Sequence, residues 1–217
     1  PQEELNQLAL KAHKAGFQLA LHAVEESTLE AAIIALEYVL HQMPKPDHRH
    51  RIELCSVCPP HLVQRLKNIG AMVVTQPPFI YYSGERYLAT MPPDELKWLY
   101  PIGSLLGGEI KIAASSDSPI VPLNPLIGIY AAVTRQAETG QGILPQEGIS
   151  ALEALKMYTL GGAYASFEED LKGSITPGKL ADLVLLSDDL TRVSLEEIKE
   201  IQVLMTIING KVVWQRK

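Results

Sequence analysis

Apolar and polar positions fall in alternating blocks along this chain, and the blocks predict helices and strands in succession. Leu5, Leu8, Leu10 and Ala12 recur among polar residues at helical spacing and predict a helix over residues 3–15, stopped by Gly16. The run from Phe17 to Ala23 reads as a short buried strand ending in the polar His22. A second helix follows over 29–42, capped by Ser27 or Thr28, with Ala31, Ile34, Ala35 and Tyr38 on its inner face. The unit then repeats, with a strand at 51–55, a helix at 60–68 closed by Gly70, and a strand at 71–75. A loop rich in Pro and aromatics covers 76–88, and a helix is expected at 93–100, a strand at 111–115 and a helix at 124–139. Four apolar strands separated by helices predict a parallel sheet with helices covering it. Right-handed crossovers allow an open sheet or part of a barrel.

The pattern changes near residue 170. Helices at 150–158 and 163–169 give way to Gly173, Pro177 and Gly178, a strand at 181–186 and a short helix at 196–199. Two β-rich runs, 203–208 and 211–214, then flank Asn209-Gly210. Asn-Gly between such runs predicts a hairpin with a type I′ turn, whose central residues both need positive φ. The expected division is therefore a β/α region at 1–170 and a small antiparallel β region at 171–217.

Composition narrows the class. With 25 acidic against 19 basic residues the net charge is −6, which argues against a nucleic-acid surface. An apolar share of 47% is too high for disorder. No run is long and apolar enough to span a bilayer, and the start, Pro1-Gln2-Glu3-Glu4, shows no signal peptide. Two cysteines are too few to staple a secreted domain, so a reducing cytoplasmic setting is expected. At 217 residues the chain falls short of the roughly 250 of a closed β/α barrel.

Active residues of a parallel β/α fold sit at the C-terminal ends of strands. His22 and Asp117 meet that test and suit metal ligation, or a base and its orienter. His22 fits equally a histidine satisfied near the core, and Asp117-Ser118-Pro119 is also good turn chemistry. His48 and His50 precede their strand and read as a solvated basic loop rather than metal ligands. Cys55 and Cys58 form a C-x-x-C with no second pair for zinc, and Cys55 reads as a small apolar core residue. The glycines between Gly103 and Gly108 match no phosphate-binding loop. Phe79, its neighbouring aromatics and Arg86 read either as a substrate lid or as a loop packed over the core.

Together these segments resemble the C-terminal half of a metal-dependent amidohydrolase, in the subgroup that includes N-substituted formamide deformylases. The resemblance runs through residues 18–23, 49–53, 74–79, 116–121, 131–135, 164–169 and 172–184 and on into the hairpin. It implies half of a TIM-type β/α barrel, with the four strands as its fifth to eighth, beside a β element of a composite β-sandwich. It also implies a divalent metal, zinc by preference, with His22 and Asp117 as ligands and Asp117 as the base toward the attacking water. The substrate implied is a small amide or formamide, with Phe79 and Arg86 near it.

Two departures stand out. Leu54 occupies the position where the family carries a further metal-binding His, and the remaining ligands would lie in a half absent from this chain. Cys55 follows, but strand alternation points it away from the site. Three readings result: an amidohydrolase portion inactive alone, a non-catalytic scaffold that has lost the metal site, or an independent α/β ligand-binding domain. The first two require a partner, either the missing N-terminal half or a second copy joined through open strand edges.

Overall fold

In the computed structural model, which describes residues 1–217, contacts divide the chain into two compact units. The first comprises Pro1–Gln76 and Glu85–Ile112, the second Pro77–Gly84 and Ala113–Lys217. The boundary expected near residue 170 falls inside the second unit.

The first unit opens with α1 (Gln2–Lys14), β1 (Ala20–Ala23), α2 (Glu26–Gln42), β2 (Arg51–Leu54), α3 (Pro60–Ile69) and β3 (Met72–Thr75). β1 pairs in parallel with β2, and β2 with β3. With β4 (Ile112–Ala114) they form one parallel sheet in the order β1-β2-β3-β4, so β1 and β4 are its edges. This is the expected half of a β/α barrel.

α2 begins earlier than expected. Its cap is Glu25, and Thr28 is the third helical residue, taking the Glu25 amide at 3.1 Å and donating to the Glu25 carbonyl at 2.8 Å. Its buried face is Leu29, Ala32, Ile33, Ala35, Leu36 and Val39. Of the inner positions expected, Ala35 alone is fully buried. The stripe turns because α2 packs against α1 and α3 as well as β1. Arg65 of α3 donates twice to Glu37, at 3.0 and 2.8 Å, and once to Glu30 at 3.1 Å, tying α3 to α2. Gly70 ends α3 at φ 66, a left-handed conformation that glycine adopts without steric cost.

The expected loop at 76–88 is helical instead, as α4 (Pro78–Thr90). Pro77 and Pro78 stand where a helix leaves its amides unpaired, so they start the helix rather than prevent it. The helix expected at 93–100 is split into α5 (Pro93–Leu96) and α6 (Ile102–Gly107) by Tyr100 at φ 44 and by Pro101. No helix is long and apolar enough to cross a membrane.

The second unit contains α7 (Pro125–Thr134), α8 (Ala151–Lys156) and α9 (Gly162–Ala165), the last two joined by a π-helical turn over Met157–Gly161. Asn124 caps α7 by accepting the Leu126 amide, and the helix stops short of residue 139 because Arg135 turns left-handed at φ 56. β5 (Leu183–Leu186), β6 (Val203–Ile208) and β7 (Lys211–Gln215) form an antiparallel sheet in that order. Asn209 at φ 48 and Gly210 at φ 76 supply the two positive φ angles of the expected turn. Val184, Leu185, Val212, Val213 and Trp214 of this sheet are exposed.

Candidate active site

The β1–β2–β3 register decides which side chains share a face. Ala23, Ile52 and Val73 lie on the buried face, and the rung His22–Glu53–Val74 lies on the other. His22 is exposed one residue from the C-terminal end of β1, where a parallel β/α fold places its chemistry. Glu53 stands beside it in the register, half-buried, and accepts a hydrogen bond from Arg51 Nε at 2.5 Å. Arg51 also reaches Gln18 Oε1 at 3.4 Å. The row Gln18–Arg51–Glu53 was not among the expected site residues, because its neighbourhood to His22 depends on a pairing offset that single-strand alternation does not carry.

β2 ends in a strained turn. The Cys55 amide donates to the Ala23 carbonyl at 2.9 Å and to the Glu53 carbonyl at 3.1 Å, with Leu54 at φ 73 and Cys55 at φ 54. A bond from residue i+2 back to i across a positive φ is a γ-turn of the rare kind, and Leu54 at its centre is buried. Alternation therefore stops at Leu54, and the position of Cys55 does not follow from it. Cys55 is nonetheless buried, as expected of a small core residue. Hydrogen bonding with the Cys58 thiol, and then burial, push its own thiol well above the usual range. Both cysteines are free, and a thiol held protonated is a poor nucleophile.

The histidines before β2 are not in a solvated loop. His48 and His50 are buried, as is His13, and the three are linked through the head of the sheet, at the end of the strands opposite His22. Here the expectation fails because their polar nitrogens find backbone and imidazole partners in place of water.

In the second unit Asp117 follows β4, exposed, at φ 56. Its carbonyl accepts the Ile120 amide at 2.9 Å, and the Ser118 amide donates to Ser116 Oγ at 3.3 Å, so the turn chemistry is also present. Phe79 of α4 is buried. In the first unit Arg86, also of α4, is exposed with its guanidinium 5.3 Å from the Tyr87 ring centroid. The stretch read as a loop, either a substrate lid or packed over the core, is thus a helix that buries Phe79 and exposes Arg86.

Nowhere do three or more His, Cys, Asp or Glu side chains come together to hold a metal ion. Leu54 has no donor atom. A catalytic zinc takes three protein ligands and keeps one open position, so the donors of this chain do not fit a complete metal centre.

The chain thus combines half of a parallel β/α barrel with a separate antiparallel sheet and carries a His and an Asp at strand ends, and comparison with known proteins gives its class. The model of the Amidohydrolase family matches residues 1–214, and the chain belongs to that family. It is 31% identical over 215 residues to an N-substituted formamide deformylase of Arthrobacter pascens, covering 98% of this chain and 39% of that protein. It is 28% identical over 217 residues to the putative amidohydrolase YtcJ of Bacillus subtilis, covering 99% of this chain and 40% of that one. Among solved structures, an uncharacterized metal-dependent hydrolase from Pyrococcus horikoshii superposes with a TM-score of 0.77 at 27% identity, over 90% of this chain and 39% of its own. The chain thus spans about two fifths of the length of the relatives it matches.

Proposed function

We propose that this chain is the C-terminal portion of a metal-dependent hydrolase acting on non-peptide carbon–nitrogen bonds, of the amide or formamide type, and that it is inactive alone. The observation that carries the reading is His22, exposed at the C-terminal end of β1 in a chain of the Amidohydrolase family. His22 and Asp117 would serve as ligands of a divalent metal, zinc by preference, whose other donors lie outside this chain. Asp117 takes the proton of the attacking water, and that proton is then available to the departing amine. Phe79 and Arg86 are assigned to the substrate side, and Arg86 is the better placed of the two because it is exposed. In this reading the chain divides by function into a β/α region up to about residue 170 and a β region from 171, a division distinct from the two contact units. The two free thiols favour a reducing, cytoplasmic setting.

The test is reconstitution. An N-terminal amidohydrolase half supplying the first four strands, combined with this chain carrying Leu54→His, should bind metal by elemental analysis and cleave a formamide. This chain alone should do neither. If the repaired pair folds and binds no metal, the hydrolase reading fails.

Leu54 favours a second reading, a non-catalytic scaffold that keeps the fold. It predicts a stable, metal-free assembly in which Leu54→His changes nothing, and mass by light scattering alongside metal content separates the two.

A further inference from the structure

Three histidines that the proposed chemistry does not use are buried at the head of the sheet in the first unit. The Leu19 amide donates to His50 Nδ1 at 3.0 Å, so the His50 proton sits on Nε2. That Nε2 is 2.8 Å from His13 Nδ1, which must accept. His13 therefore carries its own proton on Nε2, 3.0 Å from the Met43 carbonyl. In the other direction the His50 amide donates to His48 Nδ1 at 2.8 Å, leaving His48 Nε2–H to donate to the Ile69 carbonyl at 2.8 Å. Every ring nitrogen is occupied, the His13 tautomer follows from that of His50, the His50 backbone amide fixes that of His48, and one proton on each ring satisfies all of these bonds.

These bonds reach five places. His13 belongs to the last turn of α1, Met43 caps α2, Leu19 precedes β1, His50 precedes β2, and Ile69 ends α3. We infer that His13, His48 and His50 form an acid-opened clasp. Closed, it is neutral and single-tautomer, and it holds α1 to the head of the sheet. It opens as a unit when a ring takes up a proton.

The reason is geometric. A second proton on any of these rings must go to a nitrogen that already faces an N–H donor. His50 cannot relieve His13 by changing tautomer, because Leu19 holds its Nδ1. Nearby charge offers little rescue. Lys45 repels a proton on His48 and on His50, and Asp47, which favours one on His48 but ranks below burial there, is itself paired with Arg49 at 2.8 Å. In the last turns of the packed helices Lys11 and Lys14 of α1, His41 of α2 and Lys67 of α3 are exposed, while the acids, Glu3 and Glu4 of α1 and Glu26, Glu30 and Glu37 of α2, lie in earlier turns, Glu30 and Glu37 against Arg65. Burial, followed by the neighbouring rings, pushes His50 down to about 3, and burial likewise pushes His48 down. Once the clasp opens, a ring regains an ordinary affinity near pH 6.5. Opening and proton uptake are therefore linked by at least about tenfold per pH unit below that value.

The test uses the 217-residue chain. Ring ¹⁵N NMR at neutral pH should show unprotonated Nδ1 on all three rings, and on acidification they should titrate together in one step. Hydrogen exchange at the Leu19 and His50 amides, corrected for intrinsic rate, should speed up at least about tenfold per pH unit between about pH 6 and about pH 4. His13→Gln should reduce that slope, and His41→Gln, which alters an exposed ring, should leave it unchanged. If His13→Gln does not fold, the wild-type ring titration still decides. Three independent titrations near pH 6.5, or unchanged protection of both amides across the range, would overturn the clasp.

Discussion

Leu54 stands opposite Ala23 at the last rung of the β1–β2 register, and the amide that follows it is bonded to the Ala23 carbonyl at 2.9 Å. A buried, non-glycine residue thus holds a γ-turn at φ 73. Side-chain shape matters here as much as volume, because β-branched residues are the least tolerant of positive φ. Leu54→Ile should cost about 1–3 kcal/mol, and Leu54→Met, which keeps volume without branching at Cβ, less than about 1.5 kcal/mol. Urea denaturation of both variants checks the order. Equal losses would mean that packing alone governs the position.

The buried histidines make global stability depend on pH in a definite direction. His48 and His50 are held below the 6.5 of the unfolded chain, His50 at about 3. Above pH 6.5 neither state takes up these protons, and the full stability is present. Below it the unfolded chain binds them first, so stability falls as the pH falls, by about 1.4 kcal/mol per pH unit for each proton, until His50 titrates in the fold. Urea midpoints from about pH 7.5 to about pH 4.5 should drop steadily. A flat profile would show that the rings are not neutral in the fold.

Two glycine substitutions should have opposite signs. A Cβ on Gly128 of α7 would lie 1.8 Å from the Tyr158 hydroxyl, whereas one on Gly107, the last residue of α6, meets nothing within 4 Å. Alanine favours helix over glycine at both positions. Gly107→Ala should therefore stabilise by about 0.4–1 kcal/mol. Gly128→Ala should destabilise by about 1–3 kcal/mol, because Tyr158 has to move. Thermal melts of the two variants are the check.

The same contrast between local and long-range information separates what the sequence carried from what it did not. The four parallel strands, the Asn209-Gly210 turn and the placement of His22 near the end of one strand and of Asp117 after another are local features, written in short apolar runs and turn residues. The burial of His48 and His50 is not local. It depends on His13, 37 positions before His50, and on Leu19, 31 positions before it. The neighbourhood of Glu53 and His22 is non-local in the same way, since only the register sets them side by side. In the stretch from Pro77, the prolines and aromatics suggested a loop, yet proline at the start of a helix is compatible with one.

Lys179 lies in the stretch 172–184 that carried part of the family resemblance, and the structure gives it a physical task. Its ammonium donates to the Glu169 carbonyl and, at 2.8 Å, to Ser174 Oγ, within the segment that leads toward β5. A lysine ammonium has three donors on a flexible stem, and here they gather acceptors from several points of one loop. Lys179→Met keeps the stem and removes the donors. It should cost about 1–2 kcal/mol and raise proteolysis of residues 169–180. Lys179→Arg should not restore it, because a planar guanidinium cannot match those directions. Full rescue by arginine would mean that charge, not geometry, is what the loop requires.

The edge of the second unit's sheet gives the last prediction. β7 is an edge strand, and Val212, Val213 and Trp214 on it are 54%, 56% and 48% exposed. An apolar edge with open backbone donors and acceptors is a template for pairing with another strand. A three-stranded sheet with such a surface gains by covering it, whether with strands of an N-terminal half or with a second copy of the chain. On its own, the 217-residue chain should therefore self-associate as its concentration rises. Val213→Lys places a charge on that edge and should shift the chain toward monomer, with little change in the far-ultraviolet circular dichroism. Light scattering across a dilution series reads both. A chain that stays monomeric at every concentration, with Val213 or with Lys at that position, would rule out β7 as a pairing edge.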